Sequence, residues 1–485
     1  MGLTSIEANG INVITEEERK GTPRQLFWPW FAANISVLGL AYGAYVLLFG
    51  VSFWQACAAG IIGIVASFLL VGFISLAGKI GSAPTLVLSR AAFGVRGNLL
   101  PTLVAWVLNV GWEVVLAVLA TLATATVFHR LGWSSGDATK IIAFVVITVL
   151  IVGSAAIGFD TIMRLQVVIT VVTGVLTVVY FALAAGHIRW TAVSGLHSGS
   201  WPAFIGAIVL VMTGFGLSWT QMAGDYSRYL PRSASGRGVV WWTTFGASVA
   251  PVFLLGFGLL LAGSSAALSS AINKDPIGAV SAILPTWYLV PFVIVAVLGL
   301  VGGAVLDIYS SGLTLLAAGL RVPRWSAALF DGVLMIAGTI YVVFFASSFI
   351  GPFEGFLITL GVPIGAWCGV MLADVFLRRS SYADDDLYEP GGRYGSVRWA
   401  PVLFMVLGSA LGFGLVVNSY ASWLSWQGYL LGPLGLGGKT GTWSTANLGV
   451  LVALATGFTG WVLCGRSVVR GQEDVTPAPV SAEVP

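Results

Sequence analysis

Residues 214–231 read GFGLSWTQMAGDYSRYLP, and the glycines at the start of this stretch interrupt an apolar run that covers residues 203–222. Residues 30–43, WFAANISVLGLAYG, interrupt an earlier apolar run, 26–49, in a similar way. Glycine and small polar residues weaken a helix, and unwound backbone exposes carbonyl and amide groups. Because the two interrupted runs lie five runs apart, the sequence predicts two structural repeats, each beginning with a broken helix.

The composition excludes a soluble fold. The chain has 485 residues, of which 57% are hydrophobic and only 9% are charged, whereas a soluble domain carries about 25% charged residues. Continuously apolar runs near the length that a membrane helix needs, about 20 residues, cover residues 26–49, 54–77, 99–127, 140–158, 165–186, 203–222, 240–263, 288–316, 327–348, 353–376, 400–420 and 445–464. The predicted fold is an all-α integral membrane protein with twelve transmembrane helices.

The distribution of basic residues predicts the orientation. With twelve spans and both termini in the cytoplasm, only five of the 23 basic residues fall in outer loops, namely Arg130, Lys140, Arg189, Lys274 and Lys439. Cytoplasmic loops of membrane proteins carry the excess of Lys and Arg. We therefore expect a multi-pass protein of the cell (plasma) membrane with both termini cytoplasmic.

Several function classes are disfavoured by the residues. The net charge of +3, without a dense Lys/Arg cluster, gives no reason to expect a nucleic-acid partner. His129, His187 and His197 fall in or near predicted outer loops, and no cluster resembles a metal, nucleophile or lipid-phosphate site. The sequence therefore predicts neither an enzyme nor a cofactor. A channel is disfavoured by the interrupted helices and the lack of a repeated filter segment. The oligomeric state stays open.

A few polar residues lie deep in the apolar runs. Asn109, Trp112 and Glu113 follow i, i+3, i+4 spacing, which places them on one helical face, and Asp307 shares a face with Ser311 in the eighth run. A charged side chain that faces lipid at the bilayer centre costs about 2.5–3.5 kcal/mol. Glu113 and Asp307 are therefore predicted to line an interior ion and ligand site. The alternatives are a structural hydrogen bond for Glu113 and a helix-end position for Asp307.

Two tryptophans lie at mid-span depth beside these polar residues. The indoles of Trp112 and Trp219 could sandwich a flat heterocycle, each contact contributing roughly 1 kcal/mol. Phe215 is predicted to add an aromatic wall. The hydrogen-bonding edge of the heterocycle would then be read by Glu113, Asn109 or Gln221.

The segment Ser218–Pro231, SWTQMAGDYSRYLP, resembles the sixth-helix signature of the purine-cytosine permease family, in the nucleobase cation symporter group. Shorter matches are WFAANIS at 30–36, SRAAFG at 89–94, Gly111 with Trp112, and DIYSSGL at 307–313. The resemblance implies a leucine-transporter-type fold with alternating access. Helices one to five and six to ten would form inverted repeats, followed by two C-terminal helices.

The apolar runs and the polar termini predict the organisation of the chain, and the resemblance also implies a set of site residues. Residues 1–25 would form a cytoplasmic N-terminal tail, 26–466 the twelve-helix transporter domain and 467–485 a disordered cytoplasmic C-terminal tail. The residues implied at the site are Trp112 and Trp219, which bracket the nucleobase, Asn34 and Ser36 at the break of helix one, and Asp307 from helix eight.

The chain departs from the family pattern in two places. Related members often carry an amide one turn after the helix-three tryptophan, where this chain has Leu116, so amide recognition would pass to Asn109 or Glu113. Fungal members have asparagines in helix eight where this chain has Gly303 and Asp307. These departures leave the identity of the substrate open.

The coupling ion is predicted from the same helix. In sodium-coupled relatives, hydroxyls about two turns before the substrate-facing residue of helix eight help to bind sodium, but this chain has no Ser or Thr between Thr286 and Ser310. Burial favours the neutral form of a carboxyl, so Glu113 and Asp307 are predicted to carry a proton, with sodium as the alternative.

The predicted function is secondary active import of a nucleobase, cytosine or a purine, by proton symport across the lipid bilayer. The alternative keeps the fold and changes the ligand to allantoin, a hydantoin, a vitamin-like pyridine or another small heterocycle.

Overall fold

The computed structural model describes residues 9–133, 136–157, 159–346, 350–418 and 422–474. Over these ranges the chain is helical and contains no β-strand. The long helices are α1, in two halves, Phe27–Asn34 and Leu38–Leu47, α2 Phe53–Gly81, α3 Leu99–Arg130, α4 Asp137–Ile157, α5 Phe159–Ala184, α6 Trp201–Ser227, α7 Gly236–Ser264, α8 Leu289–Ala317, α9 Arg324–Phe344, α10 Ile350–Leu377, α11 Trp399–Phe413 and α12 Gly449–Glu473.

The number of membrane spans is only partly settled by helix length and composition. Within the described ranges, nine helices are long and apolar enough to cross a membrane, or ten if the two halves of α1 form one span. The predicted runs 140–158 and 400–420 are helices α4 and α11, but they are not among these, and α11 has only 15 residues. The all-α membrane fold is confirmed, whereas the count of twelve spans stays a prediction.

The helices pack in an exchanged pattern. The broken helix α1 packs against α7, and the broken helix α6 packs against α2. In addition, α2 lies along α7 and α3 lies along α8. Each broken helix thus contacts the second helix of the other five-helix set, as two repeats related by a pseudo-two-fold axis require. Helix α12 packs along α10 and α11, beside this core.

Helix α1 is interrupted where the sequence predicts it. Its halves are bent by 66°, and Ile35, at φ −87° and ψ 81°, leaves the helical conformation. The Ile35 amide still donates to the Phe31 carbonyl at 2.9 Å, which closes the first half. The Ser36 hydroxyl oxygen accepts from the Leu38 amide at 3.2 Å. A side chain therefore satisfies a backbone donor that the break would otherwise leave unpaired.

Helix α6 is interrupted at Phe215, whose φ of −119° and ψ of −109° are not helical. The Gly216 amide, displaced from the helical ladder, donates to the Ser67 hydroxyl oxygen of α2 at 3.1 Å. A Cβ atom on Gly216 would collide with the Ser67 backbone. Glycine is needed here because α2 must come close enough to supply that hydroxyl.

The described termini lie at one end of the bundle, which we call the terminal end. The Ile14 amide donates to the Ser82 carbonyl, just after α2, at 2.8 Å. The Gln472 side chain donates to the Ala91 carbonyl, in the connection from α2 to α3, at 2.9 Å. The predicted N-terminal tail, residues 1–25, is thus packed against the bundle over its described part.

The predicted boundary of the C-terminal tail is wrong over its first residues. Helix α12 continues to Glu473, so residues 467–473 are helical rather than disordered. The physical reason is tertiary anchoring, because the buried Gln472 also accepts from the Arg378 guanidinium at 2.9 Å. Residues 475–485 of that predicted tail lie outside the described ranges.

The close contact at the α6 break gives a stability prediction. Gly216→Ala should destabilise the purified protein by about 1–3 kcal/mol, because the added methyl group overpacks a backbone contact. The measurement is the melting temperature in detergent. The matched control is Gly174→Ala in α5, where a Cβ atom would meet nothing within 4 Å and helix propensity favours alanine. Equal melting temperatures for the two variants would contradict this reading of the break.

Candidate functional site

A cavity lies between the two helix breaks. Its volume is about 40 Å³, which is room for a few water molecules, so a planar heterocycle can enter only if the walls move apart. The cavity is lined by Ala33, Asn34, Ser36, Leu38, Gly39, Tyr42, Trp112, Leu116, Gly214, Phe215, Ser218, Trp219 and Asp307. The lining therefore comes from α1, α3, α6 and α8.

Aromatic rings form much of the wall. The Trp219 indole packs edge-on against Trp30, with ring centroids 5.6 Å apart and planes at 86°. The Trp112 indole packs edge-on against Phe353 at 5.4 Å and 82°. Edge-to-face packing of this kind is a favourable ring arrangement, so each indole is supported by a ring behind it. Phe215 and Tyr42 add a tilted pair with centroids 4.6 Å apart.

Few polar atoms reach the cavity, and Asp307 is the acidic residue of the described lining. Its side chain is almost completely buried. Two other polar side chains are engaged locally: the Asn34 amide donates to the Trp30 carbonyl at 2.8 Å, and the Ser218 hydroxyl donates to the Thr213 carbonyl at 2.5 Å. The Asp307 carboxylate is thus the strongest hydrogen-bond acceptor that faces the cavity.

The structure brings six of the nine predicted site residues into the lining: Trp112, Trp219, Phe215, Asn34, Ser36 and Asp307. It also adds residues that the sequence reasoning missed, of which Tyr42 contributes the largest side chain. Tyr42 lies six positions after Ser36, and Gly39 lies midway between them, so helical spacing from the break was a usable signal.

Asn109 and Gln221 lie outside the described lining and contact each other. The Gln221 side-chain amide donates to the Asn109 Oδ1 atom at 2.9 Å and to the Ser218 carbonyl at 2.6 Å. Both side chains are buried. Their contact links α3 to α6 next to Ser218, which lines the cavity.

Glu113 also lies outside the described lining, on the side of α3 that faces α8 and α9. It is completely buried, and neither carboxylate oxygen has a hydrogen-bond partner. Its charged neighbours are Asp331 and Asp307. Asp331 of α9, which the sequence reasoning missed, is also fully buried and accepts from the Trp106 indole at 2.7 Å. An acid one turn inside the ninth apolar run was the available signal.

Glycines form the face of α8 that contacts the broken part of α1. Gly299, Gly302 and Gly303 lie against the carbonyl groups of Ile35, Ala32 and Ala33, respectively. The Gly302 carbonyl is bound by the buried Gln166 amide of α5 at 2.9 Å. The glycine face brings no hydroxyl group to these carbonyls. Over the described ranges, no group of three His, Cys, Asp or Glu side chains could hold a metal ion.

Comparisons with known proteins agree with this architecture. Residues 13–432 match a family model described as "Permease for cytosine/purines, uracil, thiamine, allantoin". One relative, the "Putative purine-cytosine permease YxlA" of Bacillus subtilis (strain 168), is 25% identical over 433 residues, which cover 86% of this chain and 89% of the relative.

Solved structures show the same fold at low sequence identity. A structure of Mhp1, a nucleobase-cation-symport-1 family transporter, in a closed conformation with bromovinylhydantoin bound, has a TM-score of 0.69 and 18% identity, and the match covers 97% of this chain and 100% of that chain. A substrate-bound, outward-open Na⁺-coupled sialic acid symporter has a TM-score of 0.59 and 12% identity over 92% of this chain and 91% of that chain. The predicted leucine-transporter-type fold is confirmed by the Mhp1 match.

The buried pair of Asn109 and Gln221 gives a prediction about stability. Gln221→Leu should destabilise the protein by about 1–3 kcal/mol, because the Asn109 amide is left buried without its partner. The double variant Asn109→Leu/Gln221→Leu should recover most of that loss, since no unpaired amide then remains. Melting temperatures in detergent measure both effects. A double variant that loses the sum of the two single losses would contradict a paired role.

Proposed function

The chain belongs to the family of permeases for cytosine/purines, uracil, thiamine and allantoin, and from this premise we propose that it imports a nucleobase, cytosine or a purine, by secondary active transport. The chain is a multi-pass membrane permease and not an enzyme. The observation that carries the proposal is the cavity at the two helix breaks, with two indoles and one carboxylate in its lining.

The composition of the lining suits a small planar heterocycle. Stacking on an aromatic ring is worth about 1–3 kcal/mol per base and does not depend on which base is stacked. In the proposal the base stacks on Trp112 and Trp219, with Phe215 as a further wall. Asp307 and Asn34 take the polar edge, and Ser36 contributes from the break of α1. Glu113, Asn109 and Gln221 lie outside the cavity lining, so in the proposal they support the binding residues and do not contact the base.

The position of the cavity supports alternating access. A site at two broken helices is open to one side of the membrane when one set of helix halves moves, and to the other side when the opposite set moves. In the conformation described here, the walls of the cavity are close together. Loading a base therefore requires motion at the α1 and α6 breaks, where the helices lack continuous hydrogen bonding.

We propose the proton as the coupling ion. The glycine face of α8 presents no hydroxyl to the carbonyl groups of α1, whereas cations such as sodium and calcium are bound by sets of oxygen ligands. Two buried carboxyls, Glu113 and Asp307, are near each other and can take up and release a proton. Sodium symport is the alternative.

A second substrate class is favoured by one specific observation. Leu116 lines the cavity where the family pattern has an amide, which removes a group that could read a base edge. The Mhp1 structure holds bromovinylhydantoin, so allantoin, a hydantoin or another small heterocycle is the alternative substrate. Competition of labelled cytosine uptake by a panel of these compounds separates the two.

The proposed location is the cell membrane, with the terminal end in the cytoplasm. Support comes from a wide cleft at that end, between α8 and α9, whose lining includes Arg90, Arg96, Arg321 and Arg324. An excess of arginine on one side of a membrane protein marks the cytoplasmic side.

The aromatic wall gives the first functional prediction. Trp219→Ala should weaken cytosine binding about 5- to 150-fold, because one stacking contact is lost, and should reduce uptake accordingly without loss of membrane insertion. The measurement is uptake of radiolabelled cytosine in cells with matched expression. Trp201→Ala, at the exposed start of the same helix, is the control and should transport normally. Unchanged uptake in Trp219→Ala would remove Trp219 from the site.

The proposed coupling ion gives the second functional prediction. In proteoliposomes without sodium, a pH gradient that is acidic outside should drive accumulation of labelled cytosine, and a sodium gradient at equal pH should not. The control is the same vesicles with the proton gradient collapsed by an uncoupler. Accumulation that needs sodium and ignores the pH gradient would overturn proton symport.

A further inference from the structure

We propose that Glu113 and Asp331 form a proton-carrying pair separate from the substrate cavity, and that Asp331 is the group through which the proton leaves toward the terminal end. This inference rests on the proposed proton symport and assigns it a second residue, on α9, away from the substrate. Asp331 lies outside the described cavity lining.

Asp331 is held in a defined position. It is completely buried in α9, and its Oδ1 atom accepts from the Trp106 indole of α3 at 2.7 Å. The Oδ2 atom of the same carboxyl is buried without a hydrogen-bond partner. A buried carboxyl oxygen without a hydrogen-bond partner lowers the stability of the fold. We therefore assign Asp331 a role other than stabilising the structure.

Glu113 is placed to exchange a proton with Asp331. Trp106 and Glu113 are seven residues apart on α3, which puts them on the same face about 10 Å apart along the axis. Asp331, anchored at Trp106, is the leading charged neighbour of Glu113. Both Glu113 oxygens are buried and unpartnered. Both acids are therefore buried as neighbours, and each keeps at least one carboxyl oxygen without a hydrogen-bond partner.

Ser311 of α8 lies between the two acids. Its hydroxyl is close to both carboxyls, yet it makes no hydrogen bond of ordinary geometry in this arrangement. A hydroxyl can donate to one carboxylate while it accepts from a protonated one, so Ser311 can bridge the pair. Asp307 lies one turn away on the same face of α8 and lines the cavity, which connects the pair to the substrate.

The charged groups around the pair leave both acids without a basic partner among the described side chains. Helix α8 contributes Asp307, and the first turn of α9 contributes Arg324, whose guanidinium lies over the Tyr309 ring at 4.8 Å. Helix α4 has no titratable residue between Lys140 and its end. The acids of α10 are Glu354, whose side chain lies outside the described residues, and Asp374, which is paired with Arg378 at 3.0 Å.

These surroundings define the chemistry. Two neighbouring carboxylates cannot both stay charged at low dielectric, so the pair shares a proton and titrates as one unit. In the transfer step, the O–H bond of Glu113 breaks as an O–H bond forms on Asp331, and the net charge of the pair is unchanged. Asp331 lies seven residues, about 10 Å, from Arg324, which lines the cleft at the terminal end. A proton on Asp331 therefore has only a short distance to travel to this cleft.

The test separates coupling from substrate binding. Wild-type protein, Asp331→Asn and Asp331→Glu are reconstituted with pyranine in the vesicle lumen, and labelled cytosine is the probe. Asp331→Asn should bind cytosine and exchange it across the membrane at near wild-type rates. It should lose accumulation driven by the pH gradient, and lumen acidification on cytosine addition should fall at least tenfold. Asp331→Glu, which keeps an ionisable group, should restore part of both signals.

The matched control is an Asp→Asn variant at an exposed position. Asp137→Asn removes the same charge from an exposed position near Lys140 and should behave as wild type. Gradient-driven accumulation and acidification by Asp331→Asn at wild-type levels would overturn the inference and leave proton symport intact. Failure of Asp331→Glu to restore either signal would also overturn it. Accumulation by the wild type that follows sodium alone would remove proton symport itself.

Discussion

The structure depends on one constraint: backbone amides and carbonyls at membrane depth must find hydrogen-bond partners within the protein. An unbroken helix meets the constraint by itself, but α1 and α6 do not. At each break a serine hydroxyl takes over, Ser36 for the Leu38 amide within α1 and Ser67 of α2 for the Gly216 amide of α6. The breaks are therefore tied to their surroundings, and the cavity forms where they meet.

The apolar membrane interior also explains where charged residues occur. An unpaired carboxylate is destabilising in this environment. Asp374 is stabilised because its carboxylate accepts hydrogen bonds from the Arg378 guanidinium and from the Trp461 indole. Glu113, Asp307 and Asp331 have no such cation beside them within the described ranges. Their burial on three adjacent helices, α3, α8 and α9, connects the cavity with the terminal end, and in the proton symport that we propose this connection would couple substrate movement to proton movement.

The sequence predicted the fold class, and six of the nine residues that it predicted for the site line the cavity. Glycines beside polar residues identified both breaks, and the rarity of charge in apolar runs identified Glu113 and Asp307. Helical spacing places Asn109, Trp112 and Glu113 on one face of α3 but cannot tell which of them reaches a cavity, and only Trp112 is in the described lining. Asp331 was missed because its position near the start of an apolar run resembles a helix end. The extent of α12 depends on contacts of Gln472 that no local pattern reveals.

The central claim is that the cavity between the two helix breaks is the substrate site. An experimental structure of the protein in lipid nanodiscs with cytosine bound tests it most directly. The account predicts density for a planar ring between Trp112 and Trp219, with a polar edge within hydrogen-bond distance of Asp307. A base bound elsewhere, with these indoles still packed as they are against Trp30 and Phe353, would contradict it.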